Sequence, residues 1–491
     1  MIKFHSFYKK IALAALMVFA FSCSDPWDER NTGNEANIDK SLVEAISGSS
    51  EFSEFSKVLA ATGYDKVLAS SKNFTVFVPS NAAMSQVPVS IINDPVALKE
   101  FVGNHIALTS YSSVRDTDEV QIQMQSKKFL VFKGKSTIDD ATIIKADLLA
   151  SNGIYHIIDK PLTPRLNIWQ FVASQSATSI MSADLLALKE FSIYESDSVK
   201  KALSKSIGAG YLSDSLTNSY LANVYNVNNE KNSYTLFLMQ DEGYNQEVDK
   251  MKSYTIKSTT DSTATYAKYF TARDMVFNKK YEPSQLPTTL ISRFGVEVAI
   301  DKSQIVGEPI HLSNGIVYIM KRVDVPMAKR LVPIVIEGES FNLRINMSNS
   351  ATSITRNFFL PSTENINDVF VLNPGSALPR LLYTNRLKDL YSTKYQVYWR
   401  AINNKTTVFS QTVVVGGSYV LTGTTIDITK TLKTLAYTPV PINDFNEVLV
   451  GDFTPTQSGD ILNIALLGAN SATNGVNSLT LDYLKIVPVV K

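Results

Sequence analysis

Cysteine and histidine are scarce in this 491-residue chain, which contains one Cys and four His. That count excludes a disulfide framework and any zinc cluster built only from Cys and His within the chain. Net charge of one sign is lacking too, because 47 Lys and Arg stand against 46 Asp and Glu. The chain therefore has no electrostatic footprint for sequence-independent nucleic-acid binding, and we expect no nucleic-acid partner, no metal and no cofactor.

Long hydrophobic runs are also missing. After the first 22 residues no segment reaches the roughly 20 consecutive apolar residues of a transmembrane helix. Hydrophobic residues nevertheless make up 44% of the chain and charged residues 19%, a composition typical of folded proteins rather than disordered or fibrous ones. At roughly 150 residues per domain, the length predicts about three domains.

The amino terminus has the pattern of an export signal. Residues 1–22 combine a lysine-containing start with the uncharged run Ile11–Ser22, which predicts a signal peptide. Cys23 follows directly and resembles the modified Cys of a bacterial lipoprotein, although Ala20 stands where such signals usually have Leu. The resemblance implies acyl chains on Cys23, each methylene contributing about 0.8 kcal/mol to membrane binding. An incidental free Cys is the alternative.

Residues 23–37 form an acidic and polar tether that contains Asp25, Asp28 and Glu29. This opening resembles lipoproteins of Bacteroidetes-type bacteria, in which acidic residues after the Cys are associated with export to the cell surface. The resemblance implies a lipid-anchored protein of the outer membrane, exposed on the cell surface. A solvated tether with no export role is the alternative, and the side that the anchor faces stays open.

Two blocks of sequence recur in the middle of the chain. Phe74–Val78 is echoed by Tyr234–Leu238, 160 positions later, and Asn152–Ile158 is echoed by Asn314–Met320, 162 positions later. Two echoes in the same order and at similar separations predict a duplicated domain. Each copy places helical patterns before β-branched and aromatic runs, which predicts two α+β domains at residues 38–164 and 165–328.

The first copy resembles a fasciclin-like domain. Phe74–Met84 is similar to the first signature of that family, and Asn152–Asp159 is similar to the second. Leu98–His105 resembles the family's central Tyr-His element, with Asn104 in place of Tyr. The residues that the resemblance assigns to structural motif positions are Phe74, Thr75, Pro79, Asn81, His105, Asn152, Gly153 and His156.

The second copy resembles a divergent fasciclin-like domain, with Met239–Asp241 in place of the first copy's Pro-Ser-Asn and Tyr318 in place of His156. The resemblance implies extracellular adhesion or binding without catalytic machinery. His105 and His156 could in principle act as bases or metal ligands. We expect them to be structural instead, since the sequence places no third ligand near them.

Residues 329–491 have the pattern of an all-β sandwich, with short Val, Ile, Thr and Tyr runs between polar turns. Predicted strands include Tyr395–Ala401, Glu447–Phe453 and Ser478–Val487. The end of the chain resembles the closing strands of galactose-binding-type sandwiches, which are common in carbohydrate-binding modules. The whole chain is thus predicted to be multidomain, with two α+β fasciclin-like domains followed by an all-β sandwich.

One predicted strand offers a candidate binding face. Period-two alternation along Tyr395–Ala401 separates a core face that includes Trp399 from an outward face with Gln396, Tyr398 and Arg400. An outward aromatic ring beside a guanidinium could stack on a sugar ring and donate hydrogen bonds to it. An ordinary solvated sheet face is the alternative.

These patterns predict a surface-anchored lipoprotein whose modules bind an extracellular polysaccharide or oligosaccharide, as an accessory to polysaccharide capture. Adhesion to a surface protein or another cell is the first alternative. A glycoside hydrolase is the second, and it is not favoured. Its two carboxylates would stand on opposite sides of the scissile bond, whereas Asp139-Asp140 and Asp241-Glu242 are adjacent pairs in polar sequence. We therefore expect no catalytic residues.

Overall fold

A computed structural model describes most of the chain after the predicted tether. The described residues are 38–70, 73–113, 119–207, 217–345, 352–374, 379–420, 425–469 and 476–491. The predicted signal peptide 1–22, Cys23 and the tether 23–37 lie outside them. Within the described ranges no helix is both long enough and apolar enough to cross a membrane.

The described residues divide into two compact units. The first runs up to Trp169 and includes Val227–Ser233 and His311–Gly315. The second comprises Gln170–Asn226, Tyr234–Ile310 and Ile316–Lys491. The domain limits predicted at 164/165 and 328/329 stay predictions.

The first unit begins with short capped helices. Ser41 and Glu44 form a capping box, in which the Glu44 carboxylate accepts from the Ser41 amide at 2.8 Å. Gly63, with φ +76°, ends one helix and starts the next. The helices are α1 Leu42–Ser47, α2 Ser53–Ala61, α3 Tyr64–Leu68, α4 Asn81–Met84, α5 Val89–Asn93 and α6 Pro95–Gly103, with a 3-10 turn at Ser50–Phe52.

A seven-stranded sheet completes this α+β region. Its strands are β1 Phe74–Pro79, β2 Ile106–Ala107, β3 Val120–Gln123, β4 Phe129–Lys133, β5 Thr137–Ile138, β6 Ala141–Ala150 and β7 Gly153–Ile158. The order is β2-β1-β7-β6-β5-β4-β3, and β1 pairs with β7 in parallel. The two signature segments of the first copy are therefore neighbouring strands.

The next part of the chain is also mixed α and β. Its helices are α7 Ile168–Ser174, α8 Ile180–Ala187, α9 Glu195–Ile207, α10 Ser219–Asn223, α11 Asp241–Lys252, α12 Thr260–Ala272 and α13 Met327–Arg330, with a 3-10 turn at Lys302–Gln304. Its strands are β8 Tyr234–Met239, β9 Val276–Phe277, β10 Thr289–Ile291, β11 Glu297–Ala299, β12 Ile310–Leu312 and β13 Gly315–Met320. Strand β8 lies between β13 and β9, so the echoed segments of the second copy are neighbouring strands too.

The rest of the second unit is built from strands, as predicted. They are β14 Ile334–Glu337, β15 Leu343–Ile345, β16 Thr352–Phe359, β17 Asn365–Pro374, β18 Arg380–Leu390, β19 Tyr395–Arg400, β20 Phe409–Val420, β21 Thr425–Thr434, β22 Thr438–Val440, β23 Glu447–Phe453, β24 Gly459–Gly468, β25 Val476–Leu481 and β26 Tyr483–Pro488. A 3-10 turn at Gly338–Ser340 follows β14.

Three sheets enclose the core of this β region. Their orders are β14-β26-β19-β23, β15-β18-β24-β20-β21 with β22 beside β20, and β16-β17-β25. The core draws side chains from all three sheets, for example Trp399, Val413 and Leu479. Trp399 is 2% exposed, so the predicted inward face of Tyr395–Ala401 is confirmed.

One strand prediction is wrong. Ser478–Val487 was expected to form a single strand, but β25 ends at Leu481 and β26 begins at Tyr483. Strand β25 pairs with β17, whereas β26 pairs with β14 and β19. The chain changes sheets at Asp482, and a local alternation pattern does not reveal such a crossing.

Candidate functional site

The first motif strand is a buried scaffold that fixes a loop. All six residues of β1, including Phe74, Thr75 and Pro79, are buried. The Thr75 hydroxyl donates to the Thr109 carbonyl at 2.8 Å and accepts from the Tyr111 amide at 2.7 Å. Thr75 thereby satisfies its own buried hydroxyl and holds the loop that follows β2.

Asn81 caps a helix that lacks a cap of its own. The residue before α2, Phe52, makes no side-chain capping bond. Asn81 Oδ1 accepts from the Glu54 amide at 3.0 Å, and Asn81 Nδ2 donates to the Ser50 carbonyl at 2.9 Å. The side chain thus satisfies a first-turn amide of α2 from a distant position in the sequence.

His105 is fully buried and both of its ring nitrogens are engaged. Nε2 accepts from the Leu162 amide at 2.9 Å, so Nδ1 carries the proton and donates to the Phe101 carbonyl at 2.9 Å. Burial lowers the pKa of His105 to about 4, against the opposing effect of the Phe101 carbonyl. The ring joins α6 to the segment after β7 and has no nitrogen left for a metal or a substrate.

His156 is arranged in the opposite tautomer. Nδ1 accepts from the Asp147 amide at 3.3 Å, so Nε2 donates to the Tyr111 carbonyl at 3.0 Å. The ring stacks on Phe77 with centroids 5.2 Å apart. Burial lowers the pKa of His156, with the Tyr111 carbonyl and the Asp147 charge acting in the opposite direction. This geometry is that of a structural histidine.

Asn152 and Gly153 connect β7 to the first helix. Asn152 Oδ1 accepts from the Leu42 amide at 2.8 Å, and its Nδ2 donates to the Leu68 carbonyl. Gly153 has φ +155°, and a Cβ there would lie 2.2 Å from the Phe74 carbonyl oxygen. The Asn-Gly pair therefore caps α1 and lets β7 approach β1.

The predicted second copy contains bonds of the same kind. Thr235 donates to the Lys279 carbonyl at 2.8 Å and accepts from the Tyr281 amide at 3.0 Å. The Tyr318 hydroxyl donates to the Tyr281 carbonyl at 2.8 Å, a bond equivalent to the one that His156 makes in the first copy. Phe237 stacks on Tyr318 at 5.6 Å. Tyr318 thus makes the same type of contact as His156.

The second Asn-Gly pair behaves like the first. Asn314 Oδ1 accepts from the amide of Ile168, the first residue of α7, at 2.9 Å. Its Nδ2 donates to the carbonyls of Val227 and Asn229 at 2.8 and 3.1 Å. In both copies, therefore, the Asn side chain accepts from the first amide of the copy's first helix.

In the β region, β19 places Gln396, Tyr398 and Arg400 on one face, each half-buried, between buried neighbours. The Tyr398 hydroxyl donates to Gln396 Oε1 at 3.2 Å. Strand β19 lies inside a four-stranded sheet, between β26 and β23. The predicted outward set therefore occupies the middle of a sheet face.

Arg400 is held in an ion-pair network. Its Nη1 and Nη2 donate to the two carboxylate oxygens of Glu364 at 3.0 and 2.9 Å, and its Nε donates to Asp482. The Arg400 side chain is 14% exposed and that of Asp482 is 5% exposed. Burial raises the pKa of Asp482 to about 6, and the hydrogen bond from Arg400 acts against this rise. Arg400 thus positions two carboxylates, and only part of its guanidinium is available to a ligand.

The strand register extends the candidate face across the whole sheet. Each of the four strands contributes one residue to a row that runs across the sheet, and one residue to the next row on the same face. The first row is Val335, Lys485, Tyr398 and Leu449, and the second is Glu337, Tyr483, Arg400 and Glu447.

Glu447 joins these two rows. It accepts from the Tyr483 hydroxyl at 3.0 Å and from Lys485 at 3.2 Å. We call the eight residues of the two rows, together with Gln396, the aromatic face. Sequence reasoning missed Tyr483 and Lys485 on it, although their alternation with Leu484 and Ile486 was visible.

The described residues contain no group of three or more His, Cys, Asp and Glu side chains placed to hold a metal ion. Asp139 and Asp140 lie in a turn between β5 and β6, where Asp140 pairs with Arg165 at 3.3 Å. Asp241 and Glu242 are in the first turn of α11, and Asp241 accepts from the Ile180 amide at 2.8 Å. Each adjacent acidic pair thus contains a carboxylate with a structural contact, an ion pair for Asp140 and a backbone hydrogen bond for Asp241.

Comparison with known sequences identifies the N-terminal region. Residues 50–164 match the family described as Fasciclin domain. Protein sll1483 from a Synechocystis strain is 27% identical over 132 residues, 25% of this chain and 73% of that protein. Transforming growth factor-beta-induced protein ig-h3 from Oryctolagus cuniculus is 27% identical over 142 residues, 26% of this chain. The chain spans only 20% of the length of the rabbit protein.

Solved structures give weaker matches. A FAS1 domain pair from the insect cell adhesion molecule Fasciclin I covers 57% of this chain and 98% of its own, with 17% identity and a TM-score of 0.23. The C-terminal CBM6 of LamC from Zobellia galactanivorans covers 32% of this chain and 99% of its own, with 13% identity and a TM-score of 0.21. The family match, rather than these superpositions, shows that the chain contains a fasciclin domain at residues 50–164.

Proposed function

We propose that this protein is a lipid-anchored cell-surface protein whose modules bind extracellular ligands without catalysing a reaction. The fasciclin domain supports an adhesion-type role. The anchor rests on the sequence pattern around Cys23, and surface exposure rests on the acidic tether of residues 23–37. The ligand in this proposal is a glycan.

The observation that carries glycan binding is the aromatic face. Tyr398 and Tyr483 lie in adjacent rows on adjacent strands, with Val335 and Leu449 51% and 49% exposed at the two margins. Sugar rings have apolar faces that pack on such rings, and their hydroxyls bond to polar groups nearby. Carboxylates outnumber cations among the residues of the aromatic face and their direct partners. These carboxylates would repel an acidic glycan, so a neutral glycan fits the face better.

Binding of the mature chain to a panel of neutral polysaccharides, measured by affinity electrophoresis, tests this assignment. Tyr398→Ala and Tyr483→Ala should each weaken binding about tenfold or more, as truncation of an aromatic binding residue typically does. Tyr437→Ala is the matched control, since Tyr437 is 48% exposed elsewhere in the β region. Equal affinities for all three variants would place any glycan site elsewhere.

Adhesion to a surface protein is the second candidate. It is favoured by the fasciclin domain itself and by three apolar side chains on α5 and α6. Val89, Ile92 and Val96 are 70%, 38% and 77% exposed, and exposed apolar groups that lie together often mark protein interfaces. If the glycan panel is blank and Val96→Glu abolishes adhesion of whole cells, this candidate replaces the first.

The second mixed region is, in this proposal, a divergent fasciclin-like domain. The support is the repeated hydrogen bonding by Thr235, Tyr318 and Asn314 at the positions equivalent to Thr75, His156 and Asn152. These contacts belong to the scaffold, so the second copy keeps the architecture and we assign no ligand to it.

Replacing Cys23 tests the anchor. Cys23→Ala should release the protein from the membrane fraction or leave an unprocessed precursor, because the acylated residue is gone. Ser24→Ala is the control and should fractionate with the parent. Membrane association and lipid labelling of Cys23→Ala equal to the parent's would refute lipidation.

A further inference from the structure

A cavity of about 220 Å³ lies in the second unit, beside the end of α12, α13 and strands β18 and β19. Arg273, Arg330 and Tyr391 line its inner part. Lys388 and Val332 also line it and are exposed to solvent, so they mark its mouth. None of these residues belongs to the aromatic face.

Arg273 is held between two aromatic rings, and one of its three guanidinium nitrogens makes no hydrogen bond to the described residues. Its guanidinium carbon lies 3.9 Å from the ring centroid of Phe270 and 4.2 Å from that of Phe294. Nη1 donates to Asp389 at 3.0 Å, and Nη2 donates to the Tyr391 hydroxyl at 3.4 Å. The side chain is 5% exposed, and Nε has no hydrogen-bond partner among the described residues.

Arg330 presents a second unused donor. Its Nη1 donates to Asp274 and to the Phe270 carbonyl, the latter at 2.9 Å. Asp274 also accepts from the Ser292 hydroxyl at 2.8 Å. The Arg330 side chain is 1% exposed, and its Nη2 lacks a hydrogen-bond partner within the described part of the chain.

The charges around the cavity do not cancel. Arg273, Arg330 and Lys388 supply three positive charges, and their carboxylate neighbours Asp274 and Asp389 supply two negative ones. A buried cationic donor without a partner is costly. Guanidinium N–H groups match the oxygens of carboxylate and sulfate groups especially well.

We propose that this cavity binds an oxyanion, a carboxylate or sulfate group of a small solute or acidic sugar. Arg273 and Arg330 donate to the anion from the inner part, and Lys388 attracts it at the mouth. The site is separate from the proposed neutral-glycan face and does not depend on it. Tyr398→Ala leaves it intact, so the two proposals can fail independently.

The test measures thermal stabilisation of the mature chain by galacturonate, by sodium sulfate and by neutral galactose, at equal ionic strength. Both anions, or one of them, should raise the melting temperature, and galactose should not. Stronger stabilisation by galacturonate identifies an acidic sugar as the source of the oxyanion. Sulfate also stabilises folded proteins without binding, because it is excluded from their surface. Stabilisation by sulfate alone therefore identifies a free inorganic anion in the cavity when Val332→Glu, and not Val408→Glu, reduces it.

Val332→Glu is the decisive variant because it places a negative charge at the mouth and leaves the buried ion pairs in place. Val332 is 52% exposed, and Val408, also 52% exposed and away from the cavity, gives the matched control Val408→Glu. We expect Val332→Glu to weaken anion binding about tenfold or more through like-charge repulsion, and Val408→Glu to leave it unchanged. No stabilisation by either anion, equal stabilisation by galactose, or equal affinities of the two variants would overturn the proposal.

Discussion

At the residue scale, burial decides what the histidines of the fasciclin domain can do. A neutral ring whose two nitrogens both bond to the backbone cannot take up a proton without losing the bond that Nε2 of His105 accepts from Leu162. The pKa of His105 is therefore lowered from 6.5 to about 4 by burial. In the unfolded chain the ring regains its ordinary basicity, so the unfolded state binds the proton first as the pH falls.

This difference predicts acid sensitivity of the fasciclin domain. The contribution of neutral His105 to the free energy of unfolding should be fully present above pH 6.5. It should be lost as the pH falls toward 4, by about 3 kcal/mol in total. Calorimetric unfolding of the protein at pH 7 and pH 4.5 measures the loss. His105→Gln should reduce it, and His311→Gln, at an exposed position, should not. Identical pH dependence in parent and His105→Gln would contradict the role given to burial.

Period-two alternation predicted which side chains of β19 are buried, because that rule is local. It did not predict the pairing of Arg400, since Glu364 and Asp482 lie 36 and 82 residues away. Arg400 was a candidate for an outward ligand-binding group, and the structure shows it engaged with two carboxylates. Long-range partners of this kind follow from sheet topology, which alternation alone does not supply.

At the scale of elements, the Asn-Gly pair is the junction between β7 and α1. Asn152 satisfies one of the four free amides at the start of α1. Gly153 leaves room for the Phe74 carbonyl, which comes within 2.2 Å of the position of a Cβ. The resemblance to a fasciclin-like domain assigned both residues to structural motif positions. The capping role of Asn152 depends on a contact across 110 residues.

Alanine substitutions at two glycines should separate steric crowding from backbone strain. Gly153→Ala should destabilise the domain by about 3 kcal/mol, since the obstructing atom is backbone and cannot rotate away. At Gly63, with φ +76°, a Cβ would meet no atom within 4 Å. Gly63→Ala should therefore cost only about 1 kcal/mol. Urea unfolding midpoints compare the two, and equal losses would mean that β7 can move away from β1.

Local patterns predicted the order of elements better than their membership of sheets. Strand β23 has the predicted limits Glu447–Phe453, and the apolar repeats became the buried strands β1 and β8. The run Ser478–Val487 was divided at Asp482, because its two parts pair in different sheets. Pairing partners are set by the packing of distant strands, and that information is absent from a ten-residue window.

At the scale of the whole molecule, the second unit contains two ion pairs that cross the predicted limit at 328/329, and one of them is buried. Arg330 bonds to Asp274, and both side chains are almost fully buried. Arg273 bonds to Asp389 of β18. A cut at the predicted limit would leave Asp274 buried without its cation, and removing one partner of a buried pair typically costs 3–5 kcal/mol, here about 3 kcal/mol.

Two truncations that differ by four residues test this consequence. The fragment 38–332 should be more stable than 38–328 by at least about 3 kcal/mol, because only the longer one keeps Asp274 paired and retains the buried Leu331. Arg330→Met in the longer fragment serves as the control and should lower its stability by about 3 kcal/mol, the part of the difference that belongs to the ion pair. Chemical unfolding of the three proteins gives the comparison. If 38–328 matches 38–332, the Arg330 pair contributes nothing across the limit, and the predicted domain boundary at 328/329 can stand where the sequence placed it.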